Sequence, residues 1–154
     1  MTSKPCPFCQ MALGEHPAQI VFEDDVSLAF LDHRPLFPGH LLLIPREHHA
    51  TLGDLPPSLI GPLFANARLL SRAVEEGLEA EGSFVAVNNR VSQSVPHLHI
   101  HIVPRRRRDG LKGFFWPRHP YRDESEIREV QQTLRTVIAR LRMGEESACA
   151  RQKN

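Results

Sequence analysis

The sequence predicts an α+β fold with about five strands in a mainly antiparallel sheet, one long central helix and a C-terminal helix. Short β-prone runs follow one another through turn-like connections, whereas two longer segments repeat apolar residues every three or four positions. The order of strands, helix, strands and helix favours antiparallel pairing. The 154 residues suit a single domain, which we place at residues 1–143, with 144–154 as a flexible tail that lacks apolar periodicity.

Five strands are predicted from short apolar runs. Ile20–Glu23 and Val26–Leu31 are joined by two aspartates, so we expect them to form a hairpin. A buried strand follows at His40–Pro45, where proline ends it. Further along the chain, Phe84–Val87 and His97–Val103 read as the remaining strands.

Two helices are predicted from apolar periodicity. Leu52–Pro57 is expected to open the central helix, which then runs to about Glu81 and stops at Gly82. The helical spacing is kept by Leu59, Ile60, Leu63, Phe64, Ala67, Leu70, Val74 and Leu78. A capping box of Asp123 and Glu126 opens the C-terminal helix.

Composition argues against several classes of function. Hydrophobic residues make up 41% of the chain and charged residues 24%, with a formal net charge of +1. This balance gives no global attraction to nucleic acid polymers or membrane surfaces, and no apolar run approaches the ~18 residues of a membrane helix. The first residues do not resemble a secretory signal, so we expect a cytoplasmic protein. Three cysteines are too few for a disulfide framework.

The pattern most indicative of function is His-Leu-His-Ile-His-Ile-Val at residues 97–103. Successive side chains of a strand point to opposite faces, so His97, His99 and His101 share one face, about 7 Å apart at alternate positions. Neutral imidazoles act as nucleophiles, bases or metal ligands near neutral pH. Spacing alone leaves two other interpretations open: a solvated polar face, or a metal site that uses all three histidines.

This motif matches the alternating signature of the histidine triad (HIT) family of nucleotide hydrolases and transferases, which the chain resembles over about residues 5–105. The lead-in Ser92–Pro96 is similar to a Gln-Ser-Val segment of the family, and Pro38–His48 to its other signature block. Cys6–Cys9, followed by Phe22–Asp25, resembles the start of bacterial members. The resemblance implies a HIT-like fold and a purine nucleotide substrate. It also implies a homodimer, because family members commonly dimerise.

By resemblance, the reaction is cleavage at the α-phosphate of an adenine or other purine nucleotide conjugate, such as a dinucleoside polyphosphate or a nucleoside phosphoramidate. His99 would attack the phosphorus and form a covalent nucleotidyl-histidine, which water would then release. The other ring nitrogen of His99 would donate to a backbone carbonyl near His97. His101 would assist the leaving group, and His40 would support the first histidine of the triad.

Four further residues match substrate-binding positions of the family. Gln93 and Ser94 would donate hydrogen bonds to phosphate or to the leaving group, and Asp32 would accept them from the ribose hydroxyls. Asn88 matches a phosphate-side position, and apolar residues near Asp32 and Phe8 would enclose the base. The chain departs from the family at residues 87–93, where a glycine-rich run is common and no glycine occurs here.

Cys6 and Cys9 form a C-x-x-C pair, which supplies half of a tetrahedral zinc site. In bacterial relatives with this pair, the other ligands match His48 and His97, so the resemblance implies a structural zinc ion held by these four residues. His49 is an alternative to His48. A redox pair or two unligated thiols are the alternatives to zinc.

Other functions stay open at this point. A non-catalytic nucleotide-binding or zinc-stabilised interaction module is the main alternative, and a zinc hydrolase or a phosphorylase is also compatible with the pattern. Arg105–Arg108 is either a solvated loop or a guide for polyanionic substrates. Phe114–Trp116 either packs in a core or lies at a subunit interface. His16, His33 and His119 are expected at the surface or in loops.

Overall fold

A computed structural model describes residues 5–111, 120–133 and 135–136 of the chain. The chain divides into two compact units, Met1–Gly110 and Leu111–Asn154. The first unit contains the sheet and every predicted site residue.

The first unit is built on a five-stranded antiparallel sheet, which confirms the predicted fold class. The strands are β1 (Ile20–Glu23), β2 (Ser27–Leu31), β3 (Leu41–Pro45), β4 (Gly82–Val87) and β5 (Ile100–Arg105). Their order across the sheet is β1-β2-β3-β5-β4. β5 therefore lies in the interior of the sheet, whereas β1 and β4 form its edges.

Two α-helices accompany the sheet, α1 at Pro7–Ala12 and α2 at Pro57–Gly77. The apolar pattern does not predict α1, a six-residue helix that has no side-chain cap at its start. The predicted helix entry forms a separate 3-10 helix, Leu52–Asp54, with a capping box on Thr51. None of the helices in the described part of the chain is long and apolar enough to cross a membrane.

The central helix ends earlier than predicted. Its last residue is Gly77 rather than about Glu81, and Gly82 begins β4 instead of stopping the helix. Glu79 has a φ of 51°, and its carbonyl oxygen accepts a hydrogen bond from the Arg106 guanidinium at 2.7 Å. This contact comes from 27 residues away in the sequence, so helical periodicity does not reveal it.

The two faces of the sheet bury different side chains. One face packs against α2 in a core formed by Ala29, Leu41, Leu43, Leu98, Ile100, Ile102, Leu63, Ala67, Leu70 and Val74. The other face carries a smaller cluster in which Phe8 of α1 meets Leu28, Phe30, Leu42 and Ile44. Successive residues of β2 and β3 thus alternate between the two clusters. The candidate site lies on the α1 face.

The triad enters its strand later than predicted. β5 begins at Ile100, so His97 and His99 precede its hydrogen-bonded ladder. The predicted alternation nevertheless holds, because Leu98 is fully buried in the α2 core. The rings of His97 and His99 instead contact Phe8 on the opposite face.

In the second unit, residues 124–133 and 135–136 are helical, as predicted for the C-terminal helix. Asp123 caps its start, since the carboxylate accepts a hydrogen bond from the backbone N–H of Glu126 at 2.9 Å. Phe114–Trp116, His119 and the predicted tail lie outside the described residues. The single-domain boundary stays a prediction.

Candidate active site and metal centre

A cavity of about 1110 Å³ opens on the α1 face of the sheet. Part of its wall is apolar and is formed by Pro7, Phe8, Met11, Ala18, Phe30 and Leu42. Its polar part includes Asp32, Ser94, His99 and His101. Two histidines of the triad thus share a cavity with two of the predicted substrate-binding residues, although these residues come from separate segments.

His99 is held in one orientation at the cavity wall. Its ring is 2% exposed, and Nδ1–H donates to the carbonyl oxygen of His97 at 2.7 Å. A neutral imidazole carries one ring proton, so this bond leaves Nε2 as the unprotonated nitrogen. The rings of Phe8 and His101 contact it, with centroids 5.4 and 5.0 Å away. His99 therefore has the orientation that the resemblance implies for a nucleophile.

His40 contacts the third histidine of the triad, not the first. Its Nδ1 accepts a hydrogen bond from the backbone N–H of Leu36 at 3.2 Å, so Nε2 carries the proton and donates to Nδ1 of His101 at 3.0 Å. The expectation that His40 supports His97 is wrong. The antiparallel register explains the difference, because Leu42 pairs with His101 and brings the start of β3 beside that residue.

Burial keeps these imidazoles neutral. Burial lowers the pKa of His101 to about 4, with smaller contributions from His99 and His40. Burial also lowers the pKa of His40, although Asp32 opposes the shift. At neutral pH His101 therefore carries a single ring proton, on Nε2, because Nδ1 accepts the bond from His40. This N–H can donate to a group bound in the cavity.

Asp32 lies beside the histidines with one carboxylate oxygen already bonded. Oδ1 accepts a hydrogen bond from the backbone N–H of Arg34 at 2.9 Å, and Oδ2 lies 3.7 Å from Nδ1 of His40. The side chain of Asp32 is 16% exposed. Its carboxylate borders the cavity together with Ser94, whose hydroxyl is a hydrogen-bond donor.

Gln93 and Asn88 are not among the residues that line the cavity. Both ends of the Gln93 amide are bonded nearby, since Oε1 accepts from the N–H of Arg90 at 2.7 Å and Nε2 donates to the carbonyl of Ala50 at 2.6 Å. Arg90 and Ser92 have φ values of 67° and 59°, which glycine would adopt with less strain. Gln93 therefore stabilises the turn that stands where the family's glycine-rich run is common.

The cavity rim contains residues that the sequence patterns did not indicate. His16 and Gln19 reach it from the loop between α1 and β1, and His33 reaches it from the loop after β2. A hydrogen bond of 3.0 Å from the Leu31 N–H to the Gln19 carbonyl joins these segments. The position of His33 next to Asp32 could have indicated this, whereas His16 belongs to none of the sequence motifs.

A second group lies on the same face: Cys6, Cys9, His48 and His97, whose ligand atoms are all within 4.8 Å of one another. Nδ1 of His97 is 3.5 Å from each sulfur, and Nδ1 of His48 is 3.3 Å from Sγ of Cys9. Around a tetrahedral zinc ion, with Zn–S of about 2.3 Å and Zn–N of about 2.0 Å, sulfur and nitrogen lie roughly 3.5 Å apart. The four residues therefore fit zinc, and His49 is not part of the group.

His97 is oriented for metal binding by its other ring nitrogen. Nε2–H donates to the carbonyl of Pro45 at 2.9 Å, which leaves Nδ1 facing the sulfurs. Burial lowers the pKa of His97 to about 4, so the ring is in its neutral, ligating form. Burial, followed by the interactions with Cys6, raises the pKa of the Cys9 thiol to about 11. Such thiols become thiolates together when a cation binds between them.

The three histidines of the triad do not converge on one ion. Nδ1 of His97 faces the cysteines, and Nδ1 of His99 is bonded to a carbonyl. Asp32, His40 and His101 lie close enough together to hold a cation. The two imidazoles of that set, however, already bind one another. The geometry does not support a metal clamp made of all three triad histidines.

Three of the four arginines that follow the triad are bound to the protein itself. Arg105 pairs with Asp109 at 2.6 Å and Arg107 with Glu81 at 3.5 Å, while Arg106 binds the end of α2. None of these three arginines lines the cavity. The contacts favour a structural, solvated loop over a guide for polyanionic substrates.

Comparison with known proteins agrees with the motifs. The family model described as HIT domain matches residues 13–108. The adenylylsulfatase HINT3 of Arabidopsis thaliana is 39% identical over 69% of this chain, which spans 55% of that protein's length. The asymmetrical bis(5'-nucleosyl)-tetraphosphatase of Schizosaccharomyces pombe is 35% identical over 60% of this chain and 52% of its own length. The adenosine 5'-monophosphoramidase hnt1 of the same yeast is 33% identical over 86% of this chain and 98% of its own length.

Solved structures share the fold. A HIT family protein from Bacillus subtilis matches with a TM-score of 0.77 and 31% identity, over 86% of this chain and 96% of that one. A zinc-bound histidine triad family protein from Mycobacterium smegmatis matches with a TM-score of 0.67 and 37% identity, over 91% of this chain and 97% of that one. Both cover most of the two chains compared.

Proposed function

The chain belongs to the HIT family, and on this premise we propose that it hydrolyses adenine nucleotide conjugates at the α-phosphate by transfer of the nucleotidyl group to His99. The observation that carries the proposal is the bond from Nδ1–H of His99 to the His97 carbonyl, which leaves Nε2 unprotonated beside a cavity. Relatives named as an adenylylsulfatase, a tetraphosphatase and a monophosphoramidase support a nucleotide substrate with an exchangeable leaving group.

The proposed reaction has two displacements. Nε2 of His99 attacks the α-phosphorus, the bond from phosphorus to the leaving group breaks, and a nucleotidyl-histidine forms. His101 donates a hydrogen bond from Nε2–H to the departing atom and keeps its proton, and the bond from His40 holds His101 in that tautomer. A sulfate or polyphosphate departs as the anion, and an amine takes its proton from solvent. Water then attacks the same phosphorus, the bond from phosphorus to Nε2 breaks, and one proton of the water passes to solvent, which releases the mononucleotide and regenerates neutral His99.

The remaining cavity walls suit the nucleoside. An aromatic base would pack against Phe8 in the apolar part of the wall. The Oδ2 atom of Asp32 would accept hydrogen bonds from the ribose hydroxyls, and the Ser94 hydroxyl would donate to a phosphate oxygen. This arrangement uses only residues that border one cavity, so it omits Gln93 and Asn88.

We assign a structural zinc ion to Cys6, Cys9, His48 and His97. Two thiolates and two imidazoles make a closed tetrahedral set with no position for substrate, so the bound ion would stabilise the fold around α1 and the triad. The proposed reaction steps do not use the ion.

We also propose that the protein is a cytoplasmic homodimer. β4 is an edge strand of the first unit and leaves Val85 44% exposed, while α2 exposes Ile60 and Phe64. Apolar side chains beside a strand edge favour association with a second copy. The cytoplasmic location remains a prediction.

The proposal is tested by AMP release from adenylyl sulfate, diadenosine tetraphosphate and adenosine phosphoramidate. We expect turnover of at least one substrate, and a loss of about three orders of magnitude or more in kcat for His99→Ala, because the nucleophile is removed. Rapidly quenched wild-type protein should gain the mass of one AMP group on the peptide that contains His99.

Brief chelation is the control that separates the alternatives. Turnover should survive it while the fold, followed by circular dichroism, is intact. Immediate loss of turnover in folded protein would indicate a metal hydrolase instead. AMP binding without turnover of any substrate would favour the non-catalytic binding module.

A further inference from the structure

The short helix α1 connects the metal group to the cavity. Cys6 and Cys9 belong to the metal group, whereas Phe8, which lies between them in the sequence, belongs to the cavity wall. A helix of six residues is too short to be stable by itself, and no side chain caps its start. The position of α1 therefore depends on its tertiary contacts.

Phe8 touches residues of both sites. Its side chain is 6% exposed, and its ring centroid lies 5.9 Å from that of His97 and 5.4 Å from that of His99. Buried side chains in close contact have few alternative positions. A displacement of Phe8 would therefore change the surroundings of a metal ligand and of the proposed nucleophile together.

A second connection runs along the backbone from His97 to His99. Nδ1 of His97 lies 3.5 Å from each sulfur, while the carbonyl oxygen of the same residue accepts the Nδ1–H of His99. A bound ion that fixes the His97 ring would restrain the peptide group that orients His99. Metal binding and nucleophile geometry thus depend on one residue.

The C-terminal end of α1 has an anchor that does not involve the metal group. Arg46 donates from Nη1 to the carbonyl of Ala12 at 3.2 Å and from Nη2 to the carboxylate of Glu23 at 2.8 Å. Metal release would leave this anchor in place and free the end that carries Cys6 and Phe8. Metal release would therefore increase the mobility only of the part of α1 that forms the cavity wall.

We propose that the metal ion and the nucleotide bind cooperatively, each raising the affinity of the other through Phe8 and His97. This inference rests on the proposed function, since it takes AMP as a ligand of the cavity. The metal restrains α1 and His97 before the nucleotide arrives, and a base packed on Phe8 holds the same groups around the metal. Thermodynamic linkage makes the two effects equal, and couplings of this kind amount to about 5- to 150-fold.

The experiment measures zinc affinity by competition with a chromophoric chelator, with and without saturating AMP. Calorimetry measures AMP affinity of the zinc-loaded and metal-free proteins, and circular dichroism follows their fold. We expect each ligand to tighten the other at least about fivefold. Equal AMP affinities for the two folded forms overturn the coupling and leave the proposed function intact. Absence of AMP binding to the zinc-loaded protein overturns both.

Two variants test the route of the coupling. Phe8→Leu keeps an apolar side chain but removes the ring contacts with His97 and His99, so the zinc affinity should respond little to AMP. Asp32→Asn is the control, because Asp32 lines the same cavity and contacts Arg34 and His40 rather than Phe8 or the metal group. It should weaken AMP binding and retain the coupling.

The variants also decide the question if metal removal unfolds the protein. In that case AMP could strengthen zinc binding merely by stabilising the folded state. Coupling that is undiminished in Phe8→Leu would indicate this global effect and overturn the proposed route. Coupling that is lost in Phe8→Leu and kept in Asp32→Asn would support it.

Discussion

At the scale of single residues, each triad histidine is distinguished by the partner of one ring nitrogen. His97 donates to the carbonyl of Pro45, His99 donates to the carbonyl of His97, and His101 accepts from His40. A neutral imidazole has one donor and one acceptor, so each bond decides which nitrogen is left for a ligand. Three residues of one type are thereby prepared for three proposed roles: metal ligand, nucleophile and hydrogen-bond donor.

Asp32 allows the proposed orientation of the nucleotide to be tested. Its Oδ2 is expected to accept hydrogen bonds from the ribose hydroxyls, and a hydrogen bond to a charged group contributes about 1.5–3 kcal/mol. Asp32→Asn should therefore weaken AMP binding about tenfold or more. Binding of 2′,3′-dideoxy-AMP should change little, because it lacks both hydroxyls. Calorimetric titration with the two ligands measures the difference.

The matched control for this prediction is Asp25→Asn. Asp25 is exposed in the turn between β1 and β2, outside the cavity lining, so the same loss of charge should alter neither affinity. If Asp32→Asn weakened the binding of both ligands equally, the carboxylate would not be hydrogen-bonded to the ribose hydroxyls. Its role would then be to orient His40, which lies 3.7 Å from Oδ2.

Local spacing predicted which histidines form the site but not all of their neighbours. Strand alternation predicted that the three triad histidines share one face. This prediction uses only the spacing of residues two positions apart in the sequence. The contact between His40 and His101 depends on the register of β3 against β5. Gln93 lies outside the cavity lining because its amide is bonded within a turn that contains Arg90 and Ser92. Neither relation can be derived from local spacing.

At the scale of elements, the strands could be predicted more closely than the helices. β1 to β4 begin within two residues of the positions expected from short apolar runs, because such runs and the turns that bound them are local signals. α1 is held by contacts of Arg46 with Ala12 and by the packing of Phe8. The end of α2 is bound by Arg106. Both depend on distant residues.

The loop between β2 and β3 gives a prediction about stability. Gly39 has a φ of 94°, and a Cβ atom there would overlap the side chain of Leu78. Gly39→Ala should lower the free energy of unfolding by about 1–3 kcal/mol, because it combines left-handed strain with this overlap. Denaturant unfolding followed by circular dichroism measures the change.

Gly77→Ala is the matched control for Gly39→Ala. Gly77 is the last residue of α2, and apart from its chain neighbours and the helix backbone nothing is within 4 Å of the position that its Cβ would occupy. Alanine there should raise the free energy of unfolding by about 0.5–1 kcal/mol, because it favours the helix. An unchanged stability for Gly39→Ala would mean that Leu78 and the loop rearrange at little cost.

At the scale of the first unit as a whole, the main apolar core and the candidate active site lie on opposite faces of the sheet. The face that packs on α2 carries the larger apolar core, and the α1 face carries the cavity and the metal group. β5 has a neighbouring strand on both sides, so the backbone of His101 is fixed while its ring faces the cavity. Side chains held on such a rigid element retain the geometry that a reaction requires.

The two edges of the sheet allow the proposed homodimer to be tested with one substitution at each edge. Val85 on β4 is 44% exposed and Val21 on β1 is 50% exposed. Val85→Lys should weaken self-association about tenfold or more, because lysine on an edge strand disfavours contact with a second copy. Val21→Lys makes the same change at the other edge and should leave the dimer intact. Sedimentation at several protein concentrations compares the self-association of the two variants with that of the wild type. A monomeric wild type would contradict the homodimer. A dimer lost only in Val21→Lys would contradict an interface at β4.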